Sequence, residues 1–265
     1  MLSGKPRRPA PAAKPVAPAV KPVGPGVPSV RPQVPAVPAP RPYMGPEESS
    51  TFRTLAFYFG VALIFLRVSV FPEMLGYLLG TSLYVLYIVT PPALGGVLFG
   101  GGLGRTLQGR AGRYWMAFFV WMGLATIFSS WVGGSLNRFR DYGVYNLMLL
   151  FIVAGLATDW GEIRVIFYTI AAACLMNLLE ARLFMDVVNG RMQLWENGTI
   201  SNSNDLASQL LLVLPFVLWV AMDSKRNVFL RIPLFAAIAY GLWVVVGTAS
   251  RGALLGIIAS FLFIL

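Results

Sequence analysis

Residues 51–265 alternate between long apolar runs and short polar segments. A helix needs about 20 residues to cross a bilayer, and most of the runs approach that length. The runs lie at Leu55–Val70, Leu75–Leu103, Tyr114–Gly133, Gly143–Thr158, Val165–Phe184, Leu206–Met222, Ile232–Ala249 and Gly252–Leu265. The pattern therefore predicts an all-α fold, a polytopic transmembrane helical bundle of about eight spans that occupies residues 51–265.

The second run is longer than one span and contains two features that affect helix geometry. Pro91 and Pro92 lie near its middle. Proline removes a backbone donor and clashes with the preceding turn, so a kink is expected there. Gly96, Gly100 and Gly104 then follow at four-residue intervals. Small residues at this spacing are typical of helices that pack closely in membranes.

The first fifty residues have a different composition. They hold fourteen of the nineteen prolines, with seven basic and two acidic residues. Such a sequence favours extended polyproline II and buries no core, so residues 1–50 are expected to form a disordered, basic, Pro/Ala-rich cytoplasmic tail. The first apolar run comes too late for a cleaved signal peptide. The tail either only keeps the N-terminus cytoplasmic or also binds a proline-recognising partner or anionic lipid.

Basic residues predict the orientation of the bundle. If eight spans alternate, three basic segments lie on one side: the tail, residues 105–113 and residues 225–231. The positive-inside rule identifies that side as the cytoplasm. The segments Ser135–Tyr142, Asp186–Asn204 and Ser250-Arg251 are then expected to be outward-facing loops.

Composition excludes several classes of protein. The chain is 57% hydrophobic and 12% charged, with a net charge of +10, which is unlike a soluble domain. It has no histidine, which excludes a Ser-His-Asp triad, a His-ligated zinc and a histidine base within these residues. Cys174 is the only cysteine, so it forms no intrachain disulfide. Since no nucleotide-binding motif is present, no cofactor, metal or nucleic-acid partner is expected. Membrane lipids are the expected partners of an apolar chain of this kind.

Two polar segments on the predicted outer side stand directly before apolar runs. Asn202, Asn204 and Asp205 precede the sixth run, where they are helix N-caps or contacts to a ligand. Ser250, Arg251 and Gly252 precede the eighth run. A charge at mid-bilayer costs about 2.5 to 3.5 kcal/mol, so an arginine in such an apolar context usually has a partner.

The two helix starts suit an anion because each exposes free backbone N–H groups and the positive end of a helix dipole. Arg251 and Arg191 add guanidinium groups that bind phosphate bidentately. These residues predict a diphosphate site at the outer membrane surface. The alternative is that the polar residues are only caps and that the arginines snorkel to lipid headgroups.

Other charged residues near the outer side have open roles. Arg138, Arg140 and Arg67 either add a basic funnel or contact headgroups. Glu180 and Arg182 are interpreted as an intramembrane ion pair, with Asn177 in the same polar seam. A structural pair is favoured over a catalytic one.

The sequence resembles the O-antigen ligase and O-antigen polymerase family. The resemblance is carried by an outer-loop arginine, then Asn-Ser-Asn-Asp-Leu-Ala at 202–207 and Thr-Ala-Ser-Arg-Gly-Ala at 248–253. Many family members have Asn-Pro-Asn where this chain has Asn202-Ser203-Asn204, and the Asp-Leu-Ala continuation is most similar to the exosortase-associated branch. The family consists of bacterial inner-membrane glycosyltransferases that move a glycan from undecaprenyl diphosphate to an acceptor on the periplasmic side.

The resemblance implies roles for particular residues and an expectation about the length of the chain. Arg251 is expected to bind the donor diphosphate, with Arg191, Ser250 and Gly252 beside it. No catalytic residue is identified, because the family's histidine lies in a later loop that is absent from these 265 residues. The chain is therefore expected to be the N-terminal part of a longer enzyme. Its acceptor, whether glycan, lipid or protein, stays open.

Two other classes of protein remain as alternatives. A multi-span transporter would suit the many helices and the Pro-Pro pair, but it should show two related halves, and no repeat relates residues 51–158 to 159–265. A noncatalytic membrane scaffold would use the Pro-rich tail to bind a partner.

Overall fold

The computed structural model describes residues 51–81, 84–194, 200, 202–223 and 228–264. The chain divides into two units, Met1–Glu47 and Glu48–Leu265, and every described residue belongs to the second unit. The predicted disorder of residues 1–50 therefore falls outside the described residues.

The described part of the chain is helical except for one β-hairpin. Its helices are α1 (Thr51–Val68), α2 (Phe71–Leu79), α3 (Val85–Phe99), α4 (Gly102–Gln108), α5 (Arg110–Ile127), α6 (Val132–Asp141), α7 (Met148–Leu156), α8 (Trp160–Phe184), α9 (Ser203–Asp223), α10 (Val228–Gly247) and α11 (Arg251–Ile264). A π-helical stretch, Tyr142–Leu147, joins α6 to α7. The hairpin, β1 (Met185–Val188) and β2 (Arg191–Leu194), is an addition to the predicted all-α fold.

Within the described residues, five helical segments are long and apolar enough to cross a membrane, or six if the bent pair α3–α4 is one span. The chain is thus a multi-pass helical membrane protein, while the predicted count of about eight is not confirmed. Val132–Leu156 counts as one such segment. Residues 135–142, predicted to be an outward loop, are helical within it, because the π-helical stretch continues the backbone hydrogen bonding.

Glycines, not prolines, break the second apolar run. Gly80, at a φ of 64°, ends α2 in a Schellman motif, with Gly80 N bonded to Tyr77 O and Thr81 N to Gly76 O. Gly101, at a φ of 68°, stands at the break between α3 and α4, whose axes are bent by 70°. Pro91 and Pro92 lie inside α3, which continues beyond them to Phe99, and the kink expected there stays a prediction; the helices end instead at Gly80 and near Gly101, where glycine readily adopts the left-handed backbone.

The helices α1, α3, α4 and α7 pack around one apolar cluster. Ala56, Val97 and Ile152 are among its buried members. Gly96 allows α3 to approach α1 closely, because a methyl group at this position would overlap the side chain of Ala56 on α1. This agrees with the predicted role of the glycine pattern at Gly96. At Gly104, by contrast, a methyl group would meet no neighbouring atom within 4 Å.

A second apolar cluster joins α8, α9 and α10 to the hairpin. Fully buried Leu206 and Leu210 from α9 meet Val244 and Val245 from α10, and Leu194 from β2 is buried among them. Burial of Leu194 fixes the second strand against the helices. The cluster thereby positions the neighbouring polar residues of the hairpin.

Polar contacts mark the two ends of the bundle. At one end, Arg53 on α1 forms an ion pair with Glu162 on α8 at 2.9 Å, and Arg105 donates to the carbonyl of Gly155. At the other end, Asn177 on α8 donates to Val68 O and accepts from Val70 N, which satisfies the end of α1. The hairpin and the starts of α9 and α11 belong to this second end.

Candidate functional site

A tight hairpin carries Arg191 to the second end of the bundle. Asn189 and Gly190, with φ of 51° and 74°, form the two-residue turn, and Val188 pairs with Arg191 directly after it. Positive φ at both turn positions is characteristic of a type I′ turn, which the dipeptide Asn-Gly favours. The sequence pattern predicts a loop throughout residues 186–204, whereas residues 185–194 form a hairpin, for which Asn189-Gly190 is the sequence signal.

Arg191 bridges the start of α9 and the segment before α11. Its Nε donates to the carbonyl oxygen of Thr248 at 2.9 Å, and its Nη2 donates to Oδ1 of Asn204 at 2.8 Å. Asn204 lies in the first turn of α9, and Thr248 lies between α10 and α11. One side chain therefore links the first turn of α9 to the segment that precedes α11, and its two acceptor residues, Asn204 and Thr248, are 44 residues apart in sequence.

Asn202 caps α9. Its Oδ1 accepts from the backbone N–H of Asp205 at 2.9 Å, and its Nδ2 donates to the Asp205 carboxylate at 2.6 Å. Asp205 itself lies in the first helical turn, where a negative charge complements the helix dipole. The two predicted asparagines thus have different contacts: Asn202 caps the helix, and Asn204 holds Arg191.

The segment between α10 and α11 contains a strained residue between two buried hydroxyls. Thr248 is fully buried and its Oγ1 donates to Val245 O at 2.6 Å. Ala249 has a φ of 51°, in the left-handed region that residues other than glycine enter at a cost. Ser250 is also buried, and its Oγ accepts from Ala253 N over a long 3.4 Å, as the N-cap of α11. These contacts fix the start of α11.

Arg251 and Gly252 are the first two residues of α11 and are both exposed. Arg251 makes no hydrogen bond or ion pair with any described residue. A methyl group at Gly252 would meet no atom within 4 Å, so the backbone there is open to a ligand. Arg191 joins the beginning of α9 to the segment before α11, and Gly256 of α11 lies near Leu211 of α9, further along both helices, so the two helices run in the same direction.

The three arginines of the expected basic funnel occupy the neighbouring part of the bundle. The guanidinium of Arg67 lies over the ring of Tyr145, 4.5 Å from its centroid. Arg140 contacts the adjacent Asp141 at 3.2 Å, and Arg138 is exposed. Among the described residues, no hydrogen bond or ion pair connects these arginines to Arg191.

The predicted ion pair between Glu180 and Arg182 is wrong. Glu180 is buried with both carboxylate oxygens lacking a hydrogen bond to any described residue, whereas Arg182 is exposed. Residues two apart on a helix point to different faces, which explains the separation. Asn177 instead bonds the end of α1, where Gln209 also donates to Val68 O at 2.9 Å. Sequence reasoning missed Gln209 because its contact is 141 residues away.

The arrangement presents positive charge and backbone donors at one end of a membrane bundle. Arg191 and Arg251 supply guanidinium groups, and α9 and α11 supply the N-terminal N–H groups that lack partners within a helix. Such a combination can bind an anion with several oxygens. No family model, no curated protein and no solved structure matches this chain. The functional argument accordingly depends on these residues and their contacts.

Proposed function

We propose that the chain is a membrane glycosyltransferase that moves a glycan from undecaprenyl diphosphate to an acceptor on the periplasmic face of a bacterial inner membrane. This is the activity implied by its resemblance to the O-antigen ligase and polymerase family. The observation that carries the proposal is the bridge from Arg191 to Asn204 and Thr248, which links the starts of α9 and α11 at the end where Arg251 is exposed.

The start of α11 is the stronger candidate for the phosphate contact. The first turn of α9 contains Asp205, whose charge already complements that helix dipole. The first turn of α11 has no acidic residue, so Arg251 and the N–H groups that the Ser250 cap leaves open attract an anion without a competing carboxylate. Arg191 has two of its groups engaged, and it holds the second helix start in place while adding positive charge.

A lipid-linked donor suits the position of these groups. The helices α8, α9 and α10 are long enough to cross a bilayer, and the arginines lie at one end of them. A polyprenyl chain would lie in the hydrocarbon region while its diphosphate reached the interface beside Arg251. Arg105, Arg110, Arg113 and Arg231 lie toward the opposite end, which the positive-inside rule favours for the cytoplasm, so under the proposal Arg191 and Arg251 face the periplasm.

The proposed reaction is a direct displacement. An acceptor hydroxyl attacks the anomeric carbon of the lipid-linked glycan, and the bond to the diphosphate oxygen breaks. Negative charge then develops on the departing diphosphate. Arg251, Arg191 and the start of α11 would stabilise that charge, and such pre-positioned donors typically contribute about 10²–10³-fold to a rate.

The test compares donor binding by the Arg251→Ala protein with that by the Arg182→Ala protein. Both arginines are exposed, and Arg182 is not part of the proposed site, so it is a matched control. The purified complete gene product in nanodiscs would be titrated with undecaprenyl diphosphate and with undecaprenyl monophosphate. We expect Arg251→Ala to weaken diphosphate binding by about tenfold or more, since a charge-assisted hydrogen bond contributes about 1.5–3 kcal/mol.

The control protein should bind both lipids as the wild type does. Equal diphosphate affinity in the wild-type and Arg251→Ala proteins would contradict the proposal. Uptake of a solute by the wild-type protein in sealed vesicles, without glycan transfer, would favour a transporter instead.

A further inference from the structure

The corner between α4 and α5 presents two arginines without partners among the described residues. Arg110 and Arg113 lie in the first turn of α5, and both are exposed. Neither forms a hydrogen bond or an ion pair within the described part of the chain. Residues three apart on a helix are neighbours, with about 5–6 Å between their Cβ atoms, so both guanidinium groups can contact one phosphate group.

Contacts of α4 hold this corner in place. Arg105 donates from Nε and Nη2 to the carbonyl oxygen of Gly155, near the end of α7. The Oγ1 of buried Thr106 donates to Gly102 O at 3.0 Å, and a methyl group at Gly112 would overlap the carbonyl of Thr106. Packing therefore fixes the backbone that carries the two arginines before any ligand binds.

The corner lies at one end of a membrane-spanning segment. Phe119 of α5 packs against Gly143, and Gly123, one turn later, packs against Phe139, so α5 runs antiparallel to Val132–Leu156. The rings of Phe119 and Phe139 stack with 4.5 Å between their centroids. The first turn of α5 is thus near the end of the spanning segment, which is the level of the lipid headgroups.

An apolar groove follows the arginines along α5. It is lined by Ala111, Tyr114, Trp115 and Phe118, whose spacing of i, i+3, i+4 and i+7 puts them on one face of the helix. Its volume is about 430 Å³, and its three aromatic side chains are all exposed. A helix rises about 1.5 Å per residue, so the groove extends roughly 12 Å from Arg110 to Phe118.

The aromatic rings of this groove are held by contacts with one another. The Trp115 ring lies 6.1 Å from the Phe118 ring and is stacked on Tyr142, with 6.3 Å between the centroids. Tyr114 precedes Trp115, and side chains of these two types are enriched at the boundary between headgroups and hydrocarbon. The groove therefore has the depth and the composition of a surface that an acyl chain contacts.

No carboxylate of the described residues competes for the two arginines. Residues 74–140 contain no aspartate or glutamate. Of the described elements that pack most closely against α5, only α6 has an acidic residue, Asp141, which contacts the neighbouring arginine. At the same end of the bundle, Glu162 is paired with Arg53, and Asp159 accepts from Glu162 N. The corner is thus positively charged and complementary to an anion.

We propose that this corner binds an anionic phospholipid, with the headgroup phosphate at Arg110 and Arg113 and one acyl chain along the groove. A zwitterionic lipid would bring its ammonium group beside two arginines with no free carboxylate to receive it. Each arginine near a membrane surface is expected to favour an anionic lipid by about fivefold. The site is independent of the proposed function, because Arg191 and Arg251 belong to the other end of the bundle.

The test measures which lipid contacts Trp115. The complete gene product is placed in nanodiscs of phosphatidylcholine in which a minority of the lipid has brominated acyl chains. The brominated lipid is phosphatidylglycerol in one sample and phosphatidylcholine in the other. Bromine quenches tryptophan on contact, and the difference between wild type and the Trp115→Phe protein isolates the Trp115 signal. We expect phosphatidylglycerol to quench Trp115 at about one fifth of the concentration that phosphatidylcholine requires, or less.

Matched variants assign this preference to charge. The Arg110→Gln/Arg113→Gln protein should lose it, so that both lipids quench equally, whereas Arg110→Lys/Arg113→Lys should retain most of it. The control Arg138→Gln/Arg182→Gln, which removes two other exposed arginines, should behave as the wild type. About 1 M salt shortens the screening length to about 3 Å and should lower the preference of the wild-type protein.

Equal quenching by the two lipids in the wild-type protein would overturn the inference, as would a preference that persists in the glutamine variant. If the glutamine substitutions disturb α5 itself, quenching by phosphatidylcholine changes as well, and the salt dependence of the wild type decides: a preference that salt leaves unchanged rejects the site. A Trp115 that neither lipid quenches, in a protein that crosslinks to itself through Tyr114→Cys, would identify a second copy of the chain as the occupant and also reject it. Loss of Arg251-dependent donor binding would reject the proposed function alone.

Discussion

The Arg191 guanidinium donates from Nε to the carbonyl oxygen of Thr248 at 2.9 Å while its Nη2 donates to Asn204. Thr248 directly follows α10, and its carbonyl can be reached because the chain turns away from the helix at Ala249. The position of the hairpin is thereby coupled to the spacing between the starts of α9 and α11. Any change at Arg191 is expected to affect both stability and ligand binding.

Replacing Arg191 with lysine should show whether the positive charge or the planar shape of the guanidinium stabilises the fold. A lysine ammonium keeps the positive charge but lacks the planar fork that reaches two acceptors on different elements. We expect Arg191→Lys and Arg191→Ala both to lower the free energy of unfolding, by about 1.5–3 kcal/mol for alanine. Equilibrium unfolding in mixed micelles measures this, with Arg182→Lys as the control. Unchanged stability in the alanine variant would show that the bridge is absent in solution.

The adjacent glycines Gly95 and Gly96 should respond oppositely to alanine. A methyl group at Gly96 would overlap Ala56 on α1, a contact with no flexible side chain to give way. At Gly95 nothing lies within 4 Å. Gly96→Ala should therefore destabilise by about 1–3 kcal/mol. Gly95→Ala should be neutral or stabilise by up to about 1 kcal/mol, because alanine is the better helix former. Equal effects in the same unfolding assay would contradict the close packing of α1 and α3.

The periodicity of apolar residues was sufficient to predict the helical membrane class, because burial in lipid imposes the same requirement on every span. It was not sufficient for the span count. The break between α3 and α4 depends on Gly101, whose left-handed backbone is permitted by its sequence but not required by it. Residues 135–142 are polar enough to suggest a loop, yet they continue a helix through a π-helical stretch. Such choices depend on tertiary packing.

The candidate site was predictable in its chemistry but not in its contacts. Asn204 and Arg251 were recognisable as polar residues before apolar runs, and Arg191 as an arginine of the predicted outer loop. The role of the Thr248 carbonyl as an acceptor for Arg191 could not be predicted, since every residue has a backbone carbonyl and the sequence does not indicate which one is used. The isolation of Glu180 was missed for a similar reason: Arg182 is near in sequence, but the helix directs it to another face.

Ala249 should be a position where glycine improves stability. Its φ of 51° costs an L-residue about 1–2 kcal/mol, and glycine avoids this cost while losing more chain entropy on folding. We expect Ala249→Gly to be neutral or to raise the free energy of unfolding by up to about 1 kcal/mol, and Ala249→Val to lower it. The control Ala236→Gly, at an exposed position inside α10, should cost about 1 kcal/mol. A loss of stability in Ala249→Gly as large as that of the control would contradict the left-handed conformation.

The hairpin end and the Arg53 end of the bundle should be accessible from opposite sides of the membrane. Cys174 is fully buried, so a Cys174→Ala background leaves no reactive thiol of its own and changes little volume. Into it we would introduce Asp186→Cys on the hairpin or Gln108→Cys at the end of α4, both exposed positions.

A membrane-impermeant maleimide applied to intact spheroplasts should label the Asp186→Cys protein and spare the Gln108→Cys protein, whereas lysis should expose both. The expectation follows from the charges. The Arg53–Glu162 pair and the contact between Arg105 and Gly155 gather at the end nearest the basic segments, which the positive-inside rule keeps cytoplasmic. Labelling of Gln108→Cys alone in intact spheroplasts would show that the bundle has the opposite orientation. Arg191 and Arg251 would then face the cytoplasm, which contradicts a transfer reaction on the periplasmic side.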